Sequence, residues 1–171
     1  MHHKQKIILG LFTLLTGILT IHSCKKEPAA GIDLELYNMS KTTDGFIWYK
    51  NTDALLPKSA GSGHSQPYLR TRYNTVAATK LTAGGAIQAG ATFPEGSLIV
   101  KELYSNPTTL ARYAILYKQS SNTNADAKGW VWGYINADGT VAEPASSKGS
   151  GCISCHSQAD NIDYMLMNKY F

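Results

Sequence analysis

Cysteine is scarce in this chain of 171 residues, which contains only three. Three thiols are too few for a framework of disulfide bonds, so the fold has to rest on a hydrophobic core. A large excess of one charge is also lacking, because 16 basic and 12 acidic side chains leave a net charge of +4. So small and scattered a charge excludes a nucleic-acid-binding groove. Hydrophobic residues make up 43% of the chain, which is enough for one packed domain and excludes wholesale disorder.

The chain also lacks an apolar run long enough to span a membrane, yet its first residues indicate export. Lys4 and Lys6 precede an uncharged, mostly apolar run from Ile7 to Ile21. This run has the length of a signal-peptide core, whereas a transmembrane helix needs about twenty residues. An aliphatic residue three positions before Cys24 and a serine directly before it are typical of a bacterial lipoprotein signal.

We therefore expect residues 1–23 to be removed and Cys24 to carry a lipid. The lipid would anchor the exported protein to the membrane, on the periplasmic side or at the cell surface. An ordinary secretory signal with an incidental cysteine is the alternative, and it also takes the protein out of the cytoplasm.

The rest of the chain predicts strands followed by helix. Residues 24–32 are polar and contain proline and alanine, which predicts a tether ahead of a domain at 33–171. Residues 152–170 are predicted to be helical. The order of elements favours an α+β fold with a mainly antiparallel sheet, flanking helices and a helical C-terminal segment. The predicted strands are Phe46–Tyr49, Tyr68–Tyr73, Ser97–Tyr104, Leu110–Lys118 and Trp130–Ile135.

The most specific pattern lies near the C-terminus. Cys152, Cys155 and His156 form C-x-x-C-H, the attachment pattern of c-type haem. Cysteines at i and i+3 share one face of a helical turn, so both thiols can bond the vinyl groups at one edge of the macrocycle. The histidine that follows supplies the proximal ligand of the iron. The sequence therefore predicts one covalently bound haem c, with His156 as its metal ligand.

Two other uses of these residues stay open. A zinc site needs four ligands, and once the signal is removed only His64 can be added to the three. A disulfide or a thioredoxin-like dithiol is conceivable in an oxidising compartment. The histidine directly after the second cysteine, and the lack of a strand-to-helix redox context, favour haem. Export agrees, because c-type haem is attached outside the bacterial cytoplasm.

The place of the motif bears on the sixth ligand of the iron. Small electron-transfer cytochromes c carry the motif near the N-terminus and a ligating methionine far downstream. Here Met165 and Met167 lie close behind His156, so we expect them to pack in the core. Met39 and His64 remain as candidate sixth ligands, although each is more often a packing or surface residue. We therefore expect an open iron position, which favours small-molecule chemistry over electron relay alone.

Several segments resemble the cytochrome P-460 family, over about residues 66–171. Residues 93–102 resemble its F-P-x-G-[ST]-x-x-V-K-E segment, and 129–134, 152–156 and 163–164 follow in the family's order. The resemblance implies a mainly antiparallel β domain with helices, usually dimeric, that holds one c-type haem. Members include cytochromes P-460, which oxidise hydroxylamine, and cytochromes c′-β, which bind NO or CO at a five-coordinate iron.

The resemblance also implies roles for Lys101 and Arg70. In the enzymes a lysine of the V-K-E strand is bonded to a meso carbon of the haem, and Lys101 stands at that position. Strand parity places Lys101 with Ile99 and Leu103, so it can face the haem, where burial would lower its pKa. A surface lysine in an ion pair is the alternative. Arg70, or Arg72 in its place, resembles a distal arginine that donates hydrogen bonds to a ligand or propionate; a solvated arginine is equally consistent.

One departure from the family pattern concerns the proton acceptor. The enzymes place a carboxylate near the iron, in the strand after V-K-E, but residues 111–118 contain no acid and Ala114 takes that place. Removing protons from hydroxylamine is harder without a base. Phe93 could cap an apolar distal pocket, which would favour gas binding, or be a core residue. Trp130, Trp132 and Tyr134 alternate along one strand face and could line the haem crevice, although core or dimer contacts are more frequent.

Three functions therefore stay open. The first is a redox enzyme for hydroxylamine or NO, in which Lys101 and Arg70 act at the haem. The second is a protein that binds NO or CO without turnover. The third is a simple electron carrier. Each would need an unknown redox or ligand partner, and the family resemblance adds the expectation of a homodimer.

Overall fold

The structure is a computed structural model that describes residues 26–171. The expected signal peptide at 1–23 and the expected lipidation site Cys24 lie outside the described residues. Among residues 26–171, no helix is both long enough and apolar enough to cross a membrane.

One antiparallel sheet organises the described residues. Its neighbours follow the order β1-β3-β4-β5-β6-β7, and β2 pairs with β3. Its strands are β1 Ile47–Trp48, β2 Leu56–Pro57, β3 Tyr68–Tyr73, β4 Leu98–Asn106, β5 Thr109–Lys118, β6 Trp130–Asn136 and β7 Val141–Glu143. The helices are α1 Gly31–Lys41, α2 Thr75–Ala78 and α3 Ile153–His156, with 3-10 turns at Tyr49–Asn51 and Ala145–Ser147. The predicted α+β fold with a mainly antiparallel sheet is confirmed.

The sheet has two differently covered faces, and the alternation of side chains along β4 shows both. Ile99 and Leu103 are buried in one apolar cluster, while Leu98 and Val100 are buried in another. We call the first the pocket face, because it carries the candidate site described below. We call the second the helix face, because α1 packs on it. Lys101 belongs to the pocket face by the same alternation.

Helix α1 comes close to the sheet at a glycine. Leu36 of α1 is fully buried on the helix face. A Cβ added to Gly133 of β6 would lie only 2.9 Å from the Leu36 side chain. Gly133 therefore leaves room for the Leu36 side chain, which would have to shift if a larger residue replaced the glycine.

A buried group of charges joins β3 and β4 on the helix face. Glu102 accepts hydrogen bonds from Arg70 Nε at 2.6 Å and from the Tyr104 hydroxyl at 2.8 Å. Its other carboxylate oxygen pairs with Arg72, which is fully buried. Arg72 also donates to the carbonyl of Ser40 in α1. One carboxylate thus serves two guanidinium groups and connects the sheet to the helix above it.

The C-terminal segment is largely non-helical, so the predicted helix over 152–170 is wrong. Only Ile153–His156 is helical, and turns follow it. Asp163 and Tyr164 have φ angles of 48° and 71°, in a region that a right-handed helix cannot contain. The turns carry the chain back against the pocket face, where Met167 is buried as expected.

The predicted tether is also too long. The backbone N–H of Ala29 donates to the Gly139 carbonyl at 2.8 Å, and the N–H of Val141 donates to the Glu27 carbonyl at 2.9 Å. Helix α1 begins at Gly31. Residues 27–32, which we expected in the tether at 24–32, are therefore bound to the domain next to β7.

The buried charges should make Glu102 important for stability. Glu102→Ala should lower the free energy of unfolding by about 3–5 kcal/mol, because Arg72 would stay buried without its partner. Chemical unfolding followed by tryptophan fluorescence measures the loss. Glu35→Ala is the control, since Glu35 is an exposed carboxylate on α1. That change should cost less than about 1 kcal/mol, and equal losses in both variants would contradict this role of Glu102.

Candidate haem-binding site

A cavity of about 330 Å³ lies on the pocket face of the sheet. Strands β4, β5 and β6 form its floor. The loop at 61–64 and the C-terminal segment form its walls, and the latter contributes Cys152, Cys155 and His156. The cavity therefore collects residues from several distant parts of the chain around the predicted haem-attachment motif.

His156 is held in one orientation by its own chain. Its ring Nδ1 lies 2.7 Å from the backbone carbonyl of Tyr164, so Nδ1 carries the hydrogen and donates it. The Trp132 ring meets the imidazole edge-on, with 5.3 Å between the centroids. Burial lowers the pKa of His156; the hydrogen bond to the Tyr164 carbonyl offsets part of this, and the nearby charge of Lys101 adds a smaller lowering. The ring is therefore neutral, and its Nε2 lone pair is left for a metal ion.

The two cysteines lie one helical turn apart beside this imidazole. Both are free thiols; Cys152 is half-buried and Cys155 is exposed. The N–H of His156 donates to the Cys152 carbonyl at 3.0 Å, which closes the turn. Burial, and then the charges of Glu143 and Cys155, raises the pKa of Cys152. The thiol thus keeps its proton and brings no charge into the site.

Lys101 reaches the same cavity from β4, as the strand parity predicted. Its cross-strand neighbour on β5 is Ala114, which also lines the cavity. Burial lowers the pKa of Lys101 to about 8. An amine with such a pKa gives up its proton more easily than an exposed lysine, so it can tune the electrostatics of a bound group or donate a hydrogen bond to it.

His64 enters the cavity from the loop on the opposite wall. Its ring Nδ1 lies 3.4 Å from the Tyr134 hydroxyl, and its centroid lies 6.4 Å from that of His156. Burial, followed by the charge of Lys101, lowers the pKa of His64 to about 3. His64 is therefore a neutral imidazole, and among the candidate sixth ligands it is the one that the structure brings to His156.

Glu143 is a cavity residue that the sequence analysis missed. It lies at the end of β7, opposite Tyr134 of β6, and lines the cavity beside Cys152. The Asp138-Gly139 turn predicts a hairpin between β6 and β7. It does not predict which residue of β7 pairs with Tyr134, and that pairing is what places Glu143 at the cavity. The cavity thus contains a carboxylate from β7, although β5 has none.

The chain matches the family model described as Cytochrome P460 over residues 49–167. It belongs to the cytochrome P460 family. Neither the curated proteins nor the solved structures gave a significant match. Membership supports c-type haem binding, and the matched range contains Lys101, Cys152, Cys155 and His156 together.

The site of this cytochrome P460 family member fits a c-type haem. Two thiols share one turn, an oriented imidazole follows them, and the floor is apolar around Ile99 and Leu116. Within residues 26–171, no three His, Cys, Asp or Glu side chains are arranged to share a metal ion. The zinc alternative therefore lacks its ligand set in that part of the chain.

Arg70 does not reach the cavity. The structure therefore does not place it where it could donate hydrogen bonds to a ligand or propionate, as we expected. Arg70 faces Glu102 in the register of β3 and β4, whereas Lys101 faces Thr71. Arg70 and Lys101 therefore point to opposite faces of the sheet, and Arg70 pairs with Glu102 instead. Arg72 shares the parity of Arg70 and lies on the helix face as well.

The other residues that the sequence suggested for the haem site lie partly in the core and partly in the cavity. Phe93 is 1% exposed and packs between Tyr73 and Trp130, so it is a core residue. Met39 packs against the cluster of the helix face. The residues that do line the cavity are Trp132, Tyr134, Met165 and Met167.

Gly149 supports the ring that packs on His156. It has a φ of +71°, and a Cβ there would lie 2.7 Å from the Trp132 indole. Gly149→Ala should therefore lower the free energy of unfolding by about 1–3 kcal/mol more than a glycine replacement that meets no neighbour. Gly90→Ala is that control, because Gly90 has a φ of +69° and nothing within 4 Å of the added Cβ. Urea unfolding of both variants gives the comparison, and equal losses would contradict the contact.

Proposed function

We propose that this protein is a mono-haem c-type protein whose iron binds small nitrogen species, hydroxylamine or NO, for redox chemistry. The observation that carries the proposal is the meeting of Cys152, Cys155, His156 and Lys101 in one cavity. The match to the family model agrees with this, and the same cavity holds an oriented imidazole and the carboxylate of Glu143. When bound, the haem supplies an iron that takes up electrons and coordinates a small ligand.

Attachment would use both thiols. The S–H of each cysteine adds across one vinyl C=C bond, so that a C–S bond forms and the hydrogen goes to the other vinyl carbon. No electrons are gained or lost in this addition. Cys152 and Cys155 lie on one turn and line one cavity, which lets them reach the same edge of a planar ring.

The protein's own residues would orient a substrate and accept its protons. The Tyr164 carbonyl fixes His156, and Trp132 keeps the ring from tilting. Glu143 is the carboxylate of the cavity, so it can take a proton as hydroxylamine is oxidised. Lys101 of β4 provides a partly desolvated amine in the same cavity. Apolar neighbours such as Ile99 and Leu116 limit water around the reacting group.

An NO- or CO-binding function without turnover is the second candidate. The apolar floor of the cavity favours it, because an uncharged diatomic ligand needs no proton acceptor. The two candidates share the haem and differ in whether Glu143 takes part in chemistry.

The cellular location belongs to the same proposal. The export signal at 1–23 would take the chain out of the cytoplasm, where the haem can be attached, and a lipid on Cys24 would hold it at the membrane. Intact mass of the membrane-extracted protein would show the lipid and the haem together.

Covalent attachment is tested by replacing the thiols. Protein made in cells with cytochrome c maturation machinery should gain the mass of one haem that resists denaturing extraction. Cys152→Ala and Cys155→Ala together should abolish the covalent haem, since no thioether remains. Ser154→Ala, between the two cysteines, is the matched control and should keep it. A colourless wild-type protein would contradict the proposed function.

Turnover is tested by hydroxylamine-dependent reduction of a dye. Glu143→Gln should slow the rate about 100-fold, because a general base contributes on this order. Glu35→Gln, an exposed carboxylate on α1, is the control and should leave the rate unchanged. A protein that binds NO and CO but reduces no dye would exclude the redox function and leave the binding function.

A further inference from the structure

Two histidines from different segments lie close together in the cavity. His156 comes from the C-terminal segment and His64 from the loop that joins β2 and β3. Their ring centroids are 6.4 Å apart. Metal–imidazole bonds of about 2.0–2.1 Å, with about 1.1 Å from each ring nitrogen to its centroid, place two rings on opposite sides of one metal ion at about this separation.

Each imidazole has one nitrogen engaged by the protein and the other left over. His156 Nδ1 donates to the Tyr164 carbonyl at 2.7 Å, and His64 Nδ1 lies 3.4 Å from the Tyr134 hydroxyl. Metal-bound histidines characteristically use their second nitrogen in this way, which fixes the tautomer and the ring orientation. In both residues the nitrogen that remains is Nε2.

The sheet below spaces the two rings. His156 packs on Trp132 and His64 packs on Tyr134, at 5.3 Å and 5.9 Å between centroids. Trp132 and Tyr134 are successive residues on the same face of β6, so they are about 6.6 Å apart along the strand. The two imidazoles are therefore spaced by the distance between Trp132 and Tyr134 along β6.

The loop that carries His64 is tied down at both ends. Lys58 donates from its side chain to the His64 carbonyl at 2.8 Å, and from its backbone to the Pro67 carbonyl at 2.8 Å. Phe171 donates from its N–H to the Ser59 hydroxyl at 3.0 Å. These bonds hold the loop over the cavity while leaving it outside the sheet.

We propose that His64 is the sixth ligand of the haem iron in the resting protein, opposite His156, and that a small ligand binds by displacing it. This inference rests on the covalent haem of the proposed function. It replaces the expected open iron position with one that is closed by a residue of the chain.

The spin state of the ferric holoprotein tests the inference. Wild-type protein should be low-spin and six-coordinate in its absorption and electron paramagnetic resonance spectra. His64→Ala should be high-spin, and added imidazole should restore the low-spin spectrum. Ser65→Ala, an exposed residue directly after His64 on the same loop, is the matched control and should stay low-spin.

Ligand binding gives an independent readout. If His64 occupies the iron in about 99% of the molecules, the apparent affinity for CO in the ferrous protein is about 100-fold lower than in His64→Ala. Equal affinities in the two proteins would contradict the displacement.

A third measurement needs no variant. Wild-type holoprotein with ¹⁵N-labelled histidine should show couplings from two imidazole nitrogens to the ferric iron, so the inference stays testable if His64→Ala does not fold. A coloured wild-type protein that is high-spin, or a His64→Ala protein that remains low-spin, overturns the inference alone. A protein without covalent haem overturns the proposed function.

Discussion

The two-residue period of an antiparallel strand is the constraint on which the site depends. Lys101, Ala114, Tyr134 and Glu143 lie in one cross-strand row, and Ile99, Leu116 and Trp132 lie in the next. If any of these strands paired one residue out of register, its side chains that now line the cavity would point to the helix face instead. The same register sends Arg72 and Glu102 to the other side, where they pair and connect to α1.

The two faces of the sheet therefore differ in whether their basic side chains have an acidic partner. On the helix face one carboxylate pairs with two guanidinium groups, of which Arg72 is fully buried and Arg70 stays partly exposed. On the pocket face Lys101 has no acid opposite it, since its neighbour on β5 is Ala114, and its pKa falls to about 8. A cation without a buried partner is costly for folding alone, which favours a role for Lys101 toward the group that the cavity holds.

The sequence predicted what depends on local pattern and missed what depends on pairing. The C-x-x-C-H motif can be recognised from a single helical turn. The shared face of Lys101, Ile99 and Leu103 can be predicted from a single strand. Glu143 and Arg70 were different, because their faces are set by a hairpin register and by the pairing of β3 with β4. The C-terminal helix was overextended because the composition of that segment does not reveal the left-handed residues, Asp163 and Tyr164, that bend the chain toward His156.

The supports of the two histidines differ in rigidity, and this difference bears on how the site would work. His156 lies in the last turn of α3, hydrogen-bonded to the neighbouring backbone and packed on an indole. His64 lies in a loop, and its contact with Tyr134 is long, at 3.4 Å. Loops generally open at lower free-energy cost than the strands of a sheet do. If both histidines hold the iron as proposed, His64 would leave it more easily than His156. Lys101 and Glu143, fixed on strands, would keep their places around whatever small molecule then enters.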